Sequence, residues 1–475
     1  VRVEPPLAAF SAWYEIFPRS FCSSSGEHGS FKACLPRLKD IADMGFDIVY
    51  LPPIHPIGTT NRKGKNNDPV AAPDDPGSPW AIGSSEGGHK SVHPDLGTME
   101  DFHDFVQTAR DLNLEIALDL AYQCSMDHPY VKDHPEWFKW RPDGTIQYAE
   151  NPPKKYQDVV PFNFETEDWQ ALWDELKSVV FFWIDAGVKV FRVDNPHTKP
   201  FGFWEWLIRE THKEHPEVIF LSEAFTRPNV LNRLAKIGFS QSYTYFTWRN
   251  TKQELVQYMN GLVETEVSDF LRPNFWPNTP DILPEYLQIG GRPAYIIRLV
   301  LAATLSSNYG IYGPAYELAV NEAIPGTEEY LASEKYEIRS WDYNQPDSLR
   351  QYIADLNQIR RDNAALHQTG NVTFHQVDND HLLFYVKKTR DLSNVLFIVV
   401  NLDPFHTQAG TVQVPMQELG LATNRSYLIY DLLSEDKYIW RGEYNYVELN
   451  PHINPVHVFR VHSRMRREAD FDYYL

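Results

Sequence analysis

KVFRVDNPH, residues 189–197, is the stretch on which the fold turns. Its apolar, β-branched start reads as a strand, with an acid, Asp194, standing where the strand gives way to a loop. Arg192, two residues earlier, points to the same side of that strand. Comparable runs recur along the chain: AWYEIFP from Ala12, DIVYLPP from Asp47, LEIALDL from Leu114, IFLSEAF from Ile219, QSYTYFTW from Gln241, FLRPNF from Phe270 and NYGIYG from Asn308. Between them lie segments with helical spacing of apolar positions, among them CLPRLKDIADMGF, MEDFHDFVQTARDLN, DWQALWDELKSVVFFWIDAG and PAYIIRLVLAATLSS. Eight strands alternating with helices predict a closed (β/α)8 barrel, the TIM-barrel class of α/β fold, with functional residues at the strand C-termini.

After about Leu366 the pattern changes to strands only: NVTFHQV, HLLFYVKK, NVLFIVVNL, TVQVP, SYLIYDLL, YNYVEL and VHVFRV. These predict an antiparallel β-sandwich. The expected division is a catalytic barrel over 1–366 and a sandwich over 367–475. Two barrel loops, Ile54 to Thr98 and Ala121 to about Thr166, far exceed the usual connection length of ~2–6 residues. Both follow strand C-termini, and the second reads as an inserted subdomain over 121–166. The closing RMRREAD reads as a solvated tail.

The net charge of −20 argues against nucleic acid or an anionic membrane as partner, because those polyanions need clustered Lys and Arg. A small anionic substrate stays open if cations are placed locally for it. Cys22, Cys34 and Cys124 show no metal-ligand spacing, and an odd number of cysteines suits a reducing, cytoplasmic compartment. The longest apolar run, around Tyr295 to Leu305, is broken by Arg298, so no membrane span is expected. VRVEPPLAAF does not read as a signal peptide.

Four acids stand at or just beyond predicted strand ends: Asp119, Asp194, Glu223 and Asp281. Strands four and five are barrel neighbours, so Asp194 and Glu223 should meet across the mouth. Carboxyls ~5–5.5 Å apart suit a retaining double displacement, one attacking an anomeric carbon while the other gives and takes a proton. Arg192 would keep Asp194 ionised, whereas Glu223 has no cation beside it in sequence and suits the proton-carrying role. Any one of these acids taken alone reads more readily as a helix cap or an ion-pair member; together at the strand ends they point to a catalytic set.

ALDLAYQC, FRVDNPH, LSEAF and NTPD, in that order and spacing, resemble the four signature regions of the α-amylase superfamily of glycoside hydrolases and transglycosylases. HPDLGTMEDF from His93 and QDVVPFNFE from Gln157 are similar to two auxiliary segments. The resemblance implies Asp194 as nucleophile of a β-glycosyl-enzyme, Glu223 as general acid/base and Asp281 as a clamp on sugar hydroxyls. Arg192 matches the arginine beside the nucleophile, and Asp119 the acid of the first region.

Typical amylases carry Asn-His after the acid of the first region and His before that of the fourth. Here Gln123, Cys124 and Pro280 stand in those places. A plain amylase is therefore disfavoured, and with the calcium-ligating Asn also missing the expectation is no metal and no cofactor. RKGKNN from Arg62, AIGSSEGGHK from Ala81, ENPPKKYQD from Glu150, RVDNPHTKPFGFWEW from Arg192 and QSYTYFTWRN from Gln241 are instead similar to a subgroup of maltosyltransferases. Its donor is α-maltose 1-phosphate and its acceptor a malto-oligosaccharide or glycogen.

A glycosyl phosphate brings about −1.5 to −2 charges and strong acceptor oxygens, so its pocket needs donors and a cation. Lys154, Tyr156 and Asn151 on the third loop can supply them, with Asn195 next to the nucleophile; the resemblance adds Lys63 and Ser84. Without the resemblance, KKY reads as solvated loop charge, and Lys155 is expected in solvent. Trp80, Trp137, Trp140, Tyr243, Tyr245 and Trp248 are candidates for stacking on sugar faces or for core packing. The family's complete form adds an N-terminal β-domain that helps build a homodimer. This chain opens almost at the first barrel strand, which reads as a fragment, a nicked form or one of two complementary chains. The alternatives are an α-glucan hydrolase or transglycosylase without phosphate, and a non-catalytic carbohydrate-binding barrel.

Overall fold

Each of the eight expected strand segments contributes to a single parallel sheet in the computed structural model, whose described residues are 3–21, 27–151, 154–422 and 426–462, less the side chains of Asn151 and Lys154. The strands are β1 (Ser11–Glu15), β2 (Ile48–Leu51), β3 (Glu115–Leu120), β4 (Val190–Val193), β5 (Ile219–Ser222), β6 (Gln241–Ser242), β7 (Asn274–Phe275) and β8 (Asn308–Tyr312). They pair in the order β6-β5-β4-β3-β2-β1-β8-β7. A parallel bridge between Ser242 and Pro273, where Ser242 N–H donates to Arg272 O at 3.0 Å, brings the ring nearly to closure.

Two strands are shorter than the sequence suggests. Pro273 has no N–H to give the ladder, so β7 begins only at Asn274 rather than at Phe270. β6 ends at Ser242 because Tyr243 turns inward and stacks on Trp276, ring centroids 4.8 Å apart; Tyr245–Trp248 then form a 3-10 turn.

Alternate side chains of the strands fill the barrel. Trp13, Ile48, Tyr50, Ala117, Val190, Ile219, Leu221, Tyr243 and Trp276 make its apolar core, as the two-residue period requires. Gly310 admits Trp276 to that core: a Cβ there would lie 2.3 Å from the indole. At the N-terminal end of the strands is a polar layer. Ser11 Oγ donates to Asn308 Oδ1 at 2.9 Å, Gln241 Nε2 donates to Ser11 Oγ at 3.2 Å, and Asn274 Nδ2 donates to Gln241 Oε1 at 2.8 Å. Mutual bonding makes these polar side chains tolerable inside a barrel.

Helices α1 (Phe31–Asp43) and α2 (Met99–Asp111) start at sequence-encoded caps. Ser30 Oγ accepts from Ala33 N–H, and Thr98 with Asp101 forms a reciprocal capping box. Helices α3 (Trp169–Asp185), α4 (Phe201–Glu214) and α5 (Pro228–Lys236) follow β3, β4 and β5. The third loop is organised by two small ribbons, Gln123–Cys124 with Val160–Pro161 and Ala149–Asn151 with Lys154–Tyr156. After β8 and a short helix, Gly313–Glu317, comes a third long loop, Leu318 to Ser348, without regular helix or strand.

By compactness the chain forms two units, Val1–Thr244 with Phe270–Pro284 and Asn308–Ser348, and Tyr245–Asp269 with Glu285–Ser307 and Leu349–Leu475. The second unit contains α6 (Lys252–Val263), α7 (Glu285–Leu305), α8 (Arg350–Asp362) and the C-terminal strands. Those strands are β9 (Val372–His375), β10 (Leu382–Lys388), β11 (Val395–Asn401), β12 (Gln408–Gln413), β13 (Ser426–Asp431), β14 (Lys437–Arg441), β15 (Tyr444–Leu449) and β16 (Val456–His462). Six form an antiparallel sheet in the order β9-β10-β11-β16-β13-β14, while β12 pairs with β15. β14 is absent from the sequence expectation; three of its first residues are exposed in succession, so it lacks the alternation that marks a half-buried strand. Phe384, Phe397, Tyr427, Trp440 and Phe459 lead this unit's core. No described helix is long and apolar enough to cross a membrane.

Candidate active site

Parallel register brings the site together. Asp119 on β3 lies opposite Arg192 on β4, and the ladder runs one step past the strand ends: Asp194 N–H donates to Leu120 O at 3.1 Å and Glu223 N–H to Val193 O at 3.0 Å. All four side chains therefore point into the barrel mouth. The Arg192 guanidinium joins them, with Nη1 2.8 Å from Asp119 Oδ2 and 3.0 Å from Asp194 Oδ1, and Nη2 2.7 Å from Glu223 Oε1. A guanidinium presents its donors in a rigid planar fork, which fixes the relative positions of the three carboxylates more closely than a freely rotating ammonium would.

Sequence distance hid one of these pairs. Glu223, without a cation beside it in the chain, has Arg192 against it in the fold. Its pKa is nevertheless pushed up to about 8, first by burial, with Arg192 opposing and Asp194, Asp281 and Asp119 adding to the rise. Asp119 is likewise raised to about 7 by burial; it accepts from Tyr50 Oη at 2.5 Å and Trp80 Nε1 at 3.3 Å. Gln123 Nε2 donates to Asp194 Oδ2 at 3.1 Å, so the glutamine in the position of an amylase asparagine contacts the expected nucleophile directly.

Above this floor opens a cavity of about 660 Å³ whose wall includes Trp80, Gln123, Tyr156, Asp158, Asp194, Asn195, Asp281 and Lys335. Glu223 and Arg192 lie behind the wall, largely buried. Of the expected phosphate ligands, Tyr156 and Asn195 are on the wall; the side chains of Asn151 and Lys154 lie outside the described residues. Lys63 and Ser84 are not on it. Lys63 is buried, its Nζ 2.6 Å from Gln157 Oε1, and Ser84 Oγ accepts from Glu86 N–H inside a tight turn. Lys155 is exposed, as expected.

Of the aromatic candidates, Trp80 is on the wall. Trp137 is buried with its Nε1 donating to Asp168, and Tyr243 belongs to the barrel core, so both are packing residues. Trp140 is exposed, its Nε1 donating to Pro135 O. Tyr245 and Trp248 fall in the second unit.

Lys335 is the residue that sequence reasoning missed. Its Nζ lies 2.6 Å from Asp281 Oδ1. The length of the loop after β8 was the available signal, since long loops at strand C-termini build barrel sites. Arg19 anchors that loop: Nη2 donates to Glu334 O at 2.6 Å and Nη1 to Gly77 O of the second loop at 3.0 Å.

Among the described residues, two groups bring possible metal ligands within 4.8 Å of one another, His28 with His93 and Asp95, and His134 with Glu136 and Asp168. Neither is on the cavity wall. The rings of His28 and His93 stack almost parallel, centroids 4.9 Å apart, so their in-plane lone pairs do not converge on a shared ion.

Residues 15–200 match the model of the α-amylase catalytic domain, and residues 374–461 match that described as GLGE, C-terminal. A protein of Chlorobaculum tepidum named alpha-1,4-glucan:maltose-1-phosphate maltosyltransferase is 57% identical over 467 residues, 97% of this chain and 70% of that protein. One of the same name from Methylacidiphilum infernorum is 58% identical over 462 residues, 97% of this chain and 69% of its own length. Among solved structures, the maltogenic alpha-amylase AmyB from Thermotoga neapolitana superposes with TM-score 0.74 at 19% identity, covering 96% of this chain and all of that one. At that identity the likeness speaks for the fold alone.

Proposed function

We infer the chemistry of this site from the family to which the chain belongs, the α-1,4-glucan:maltose-1-phosphate maltosyltransferases of the α-amylase superfamily. The protein is a maltosyltransferase. It moves a maltosyl unit from α-maltose 1-phosphate to the end of an α-1,4-glucan and releases phosphate. A malto-oligosaccharide or glycogen serves as acceptor.

Asp194 attacks the anomeric carbon from the face opposite the phosphate, giving a β-maltosyl-enzyme. Arg192 and the Gln123 amide keep its oxygens in place. Phosphate is a better leaving group than a sugar alkoxide, so protonation by Glu223 matters less in this step. In the second, Glu223 takes the proton from the acceptor's 4-hydroxyl as that oxygen attacks. Two inversions return the α-configuration. Asp281 with Lys335 grips hydroxyls of the transferred sugar, and Tyr156 and Asn195 face the phosphate, for which the family resemblance also assigns Lys154 and Asn151. Lys63, tied to Gln157, acts by holding the third loop.

The observation that carries the mechanistic reading is the single guanidinium spanning Asp194 and Glu223 at 3.0 and 2.7 Å. The free, buried thiols of Cys34 and Cys124 suit a reducing cytoplasm. Phosphate release from α-maltose 1-phosphate with a short malto-oligosaccharide acceptor, with products sized, is the test. Release coupled to growth by two glucose units, abolished in Asp194→Ala and weakened in Lys154→Ala, is expected. Cleavage of malto-oligosaccharides alone, indifferent to phosphate, would replace this reading with a hydrolase.

A further inference from the structure

The residue after the nucleophile has an unusual backbone. Asn195 adopts φ 43° and ψ 53°, in the left-handed region that most L-residues avoid and asparagine enters more readily than other non-glycine residues. Pro196 follows directly, and the residue before a proline is normally held extended. A left-handed residue directly before a proline is held by its surrounding contacts.

Those contacts converge from one short segment. Lys199 Nζ donates to Asp194 O and to Asn195 O, each at 3.3 Å. Thr198 Oγ1 donates to Asn195 O at 2.8 Å, and Thr198 N–H donates to the same oxygen at 3.1 Å. Lys199 is 8% exposed, and burial, the first influence on it, lowers its pKa. A cation is thus kept nearly out of water with, among the described residues, no carboxylate in direct ion pair, its hydrogen bonds going to the carbonyls of Asp194 and Asn195. In return, the turn presents Asn195 N–H to Glu223 Oε2 at 3.3 Å and puts Asn195 on the cavity wall beside Asp194.

We propose that Lys199 is a positioning residue for transfer: its ammonium clamps the left-handed turn after the nucleophile, holding Asn195 toward the leaving group and its N–H on the acid/base. The proposal rests on the double-displacement reading above. It does not require the leaving group to be phosphate.

The groups that act on Glu223 are Arg192, Asp194, Asp281 and Asp119, together with Lys199, Glu15 and Tyr243. Lys199 and the Asn195 N–H both favour the ionised form. Their loss must move the Glu223 limb of the rate profile to higher pH.

The test compares the parent with Lys199→Met and Lys199→Arg on two donors, α-maltose 1-phosphate and α-maltosyl fluoride, across pH. Lys199→Met should lower kcat on both donors by about 10²-fold, the scale of a small misplacement of reacting groups, with KM changed less than about threefold. Its acid/base limb should shift upward, and Lys199→Arg should recover most of the rate and the original limb. A Lys199→Met protein with parental kcat and profile would overturn the proposal. So would loss of rate matched by loss of folded protein, the remaining fraction keeping the parental limb. Turnover of the fluoride but not the phosphate by the parent would overturn the phosphate reading instead, and Lys199 would still be judged on the fluoride.

Discussion

The ammonium of Lys335 lies 2.6 Å from the carboxylate of Asp281, although 54 residues separate the two in the chain. Rings of Trp80, Tyr156 and Tyr336 stand 5.1, 5.8 and 5.8 Å from it. Burial works against this charge, but Asp281 and the tyrosines outweigh it and hold the Lys335 pKa above its ordinary value. The pair therefore stands on the cavity wall as a fixed dipole rather than as two mobile ions.

If that pair works as a unit on the transferred sugar, removing either half should cost nearly as much as removing both. Lys335→Met and Asp281→Asn should each lower kcat/KM for the donor by about 10²-fold. The double variant should fall well short of the product. Multiplicative losses in a double-mutant cycle would show that the two residues act separately.

Arg192 serves three carboxylates with one planar fork, and lysine cannot reproduce that geometry. Arg192→Lys should fold but lose about 10²–10³ in kcat, the scale seen when a fixed donor is removed from a catalytic site. Arg192→Ala, leaving buried acids uncompensated, should lose about 3–5 kcal/mol of stability. Thermal unfolding and initial rates separate the two effects; an active Arg192→Lys variant would contradict the spanning role.

With Glu223 near 8 and Asp119 near 7, the folded protein holds protons that the unfolded chain releases near pH 4–5. These raised acids stabilise the fold least at high pH: their contribution is full below the unfolded values and is lost as pH climbs through the folded ones. Glu223→Gln removes one such proton. Its melting temperature should therefore improve relative to the parent as pH rises from 5 to 8, and a constant difference across that range would refute the assignment.

Gly310 faces Trp276 at a distance no methyl can share. Gly310→Ala should cost about 1–3 kcal/mol as the indole is forced off its stack with Tyr243. Gly261, inside α6 with nothing within 4 Å of its would-be Cβ, is the control. There Gly→Ala should stabilise by about 0.5–1 kcal/mol through helix propensity. Chemical denaturation of both variants reads the contrast.

The alternation of short apolar runs with helical patterns was enough to place every barrel strand, because side-chain period and turn residues are local properties. It also set Arg192 and Asp194 on one strand face, since two-residue spacing needs no tertiary information. Strand ends were less legible: β6 stops where Tyr243 meets Trp276, a partner 33 residues away, and β14 shows no clear alternation because, of its five residues, only Trp440 is buried.

What only the tertiary structure decided is how distant charges combine. Arg192 against Glu223, Lys335 against Asp281 and Lys199 under Asn195 depend on register between neighbouring strands and on where long loops return. Trp137 and Tyr243, which read equally as sugar platforms or packing, became packing only once burial was known. Local sequence encodes the direction of each side chain along its own element, whereas desolvation and Coulomb partners belong to the assembled barrel mouth. The sequence by itself therefore determined the barrel and its acids, and the fold decided which of those acids hold a proton.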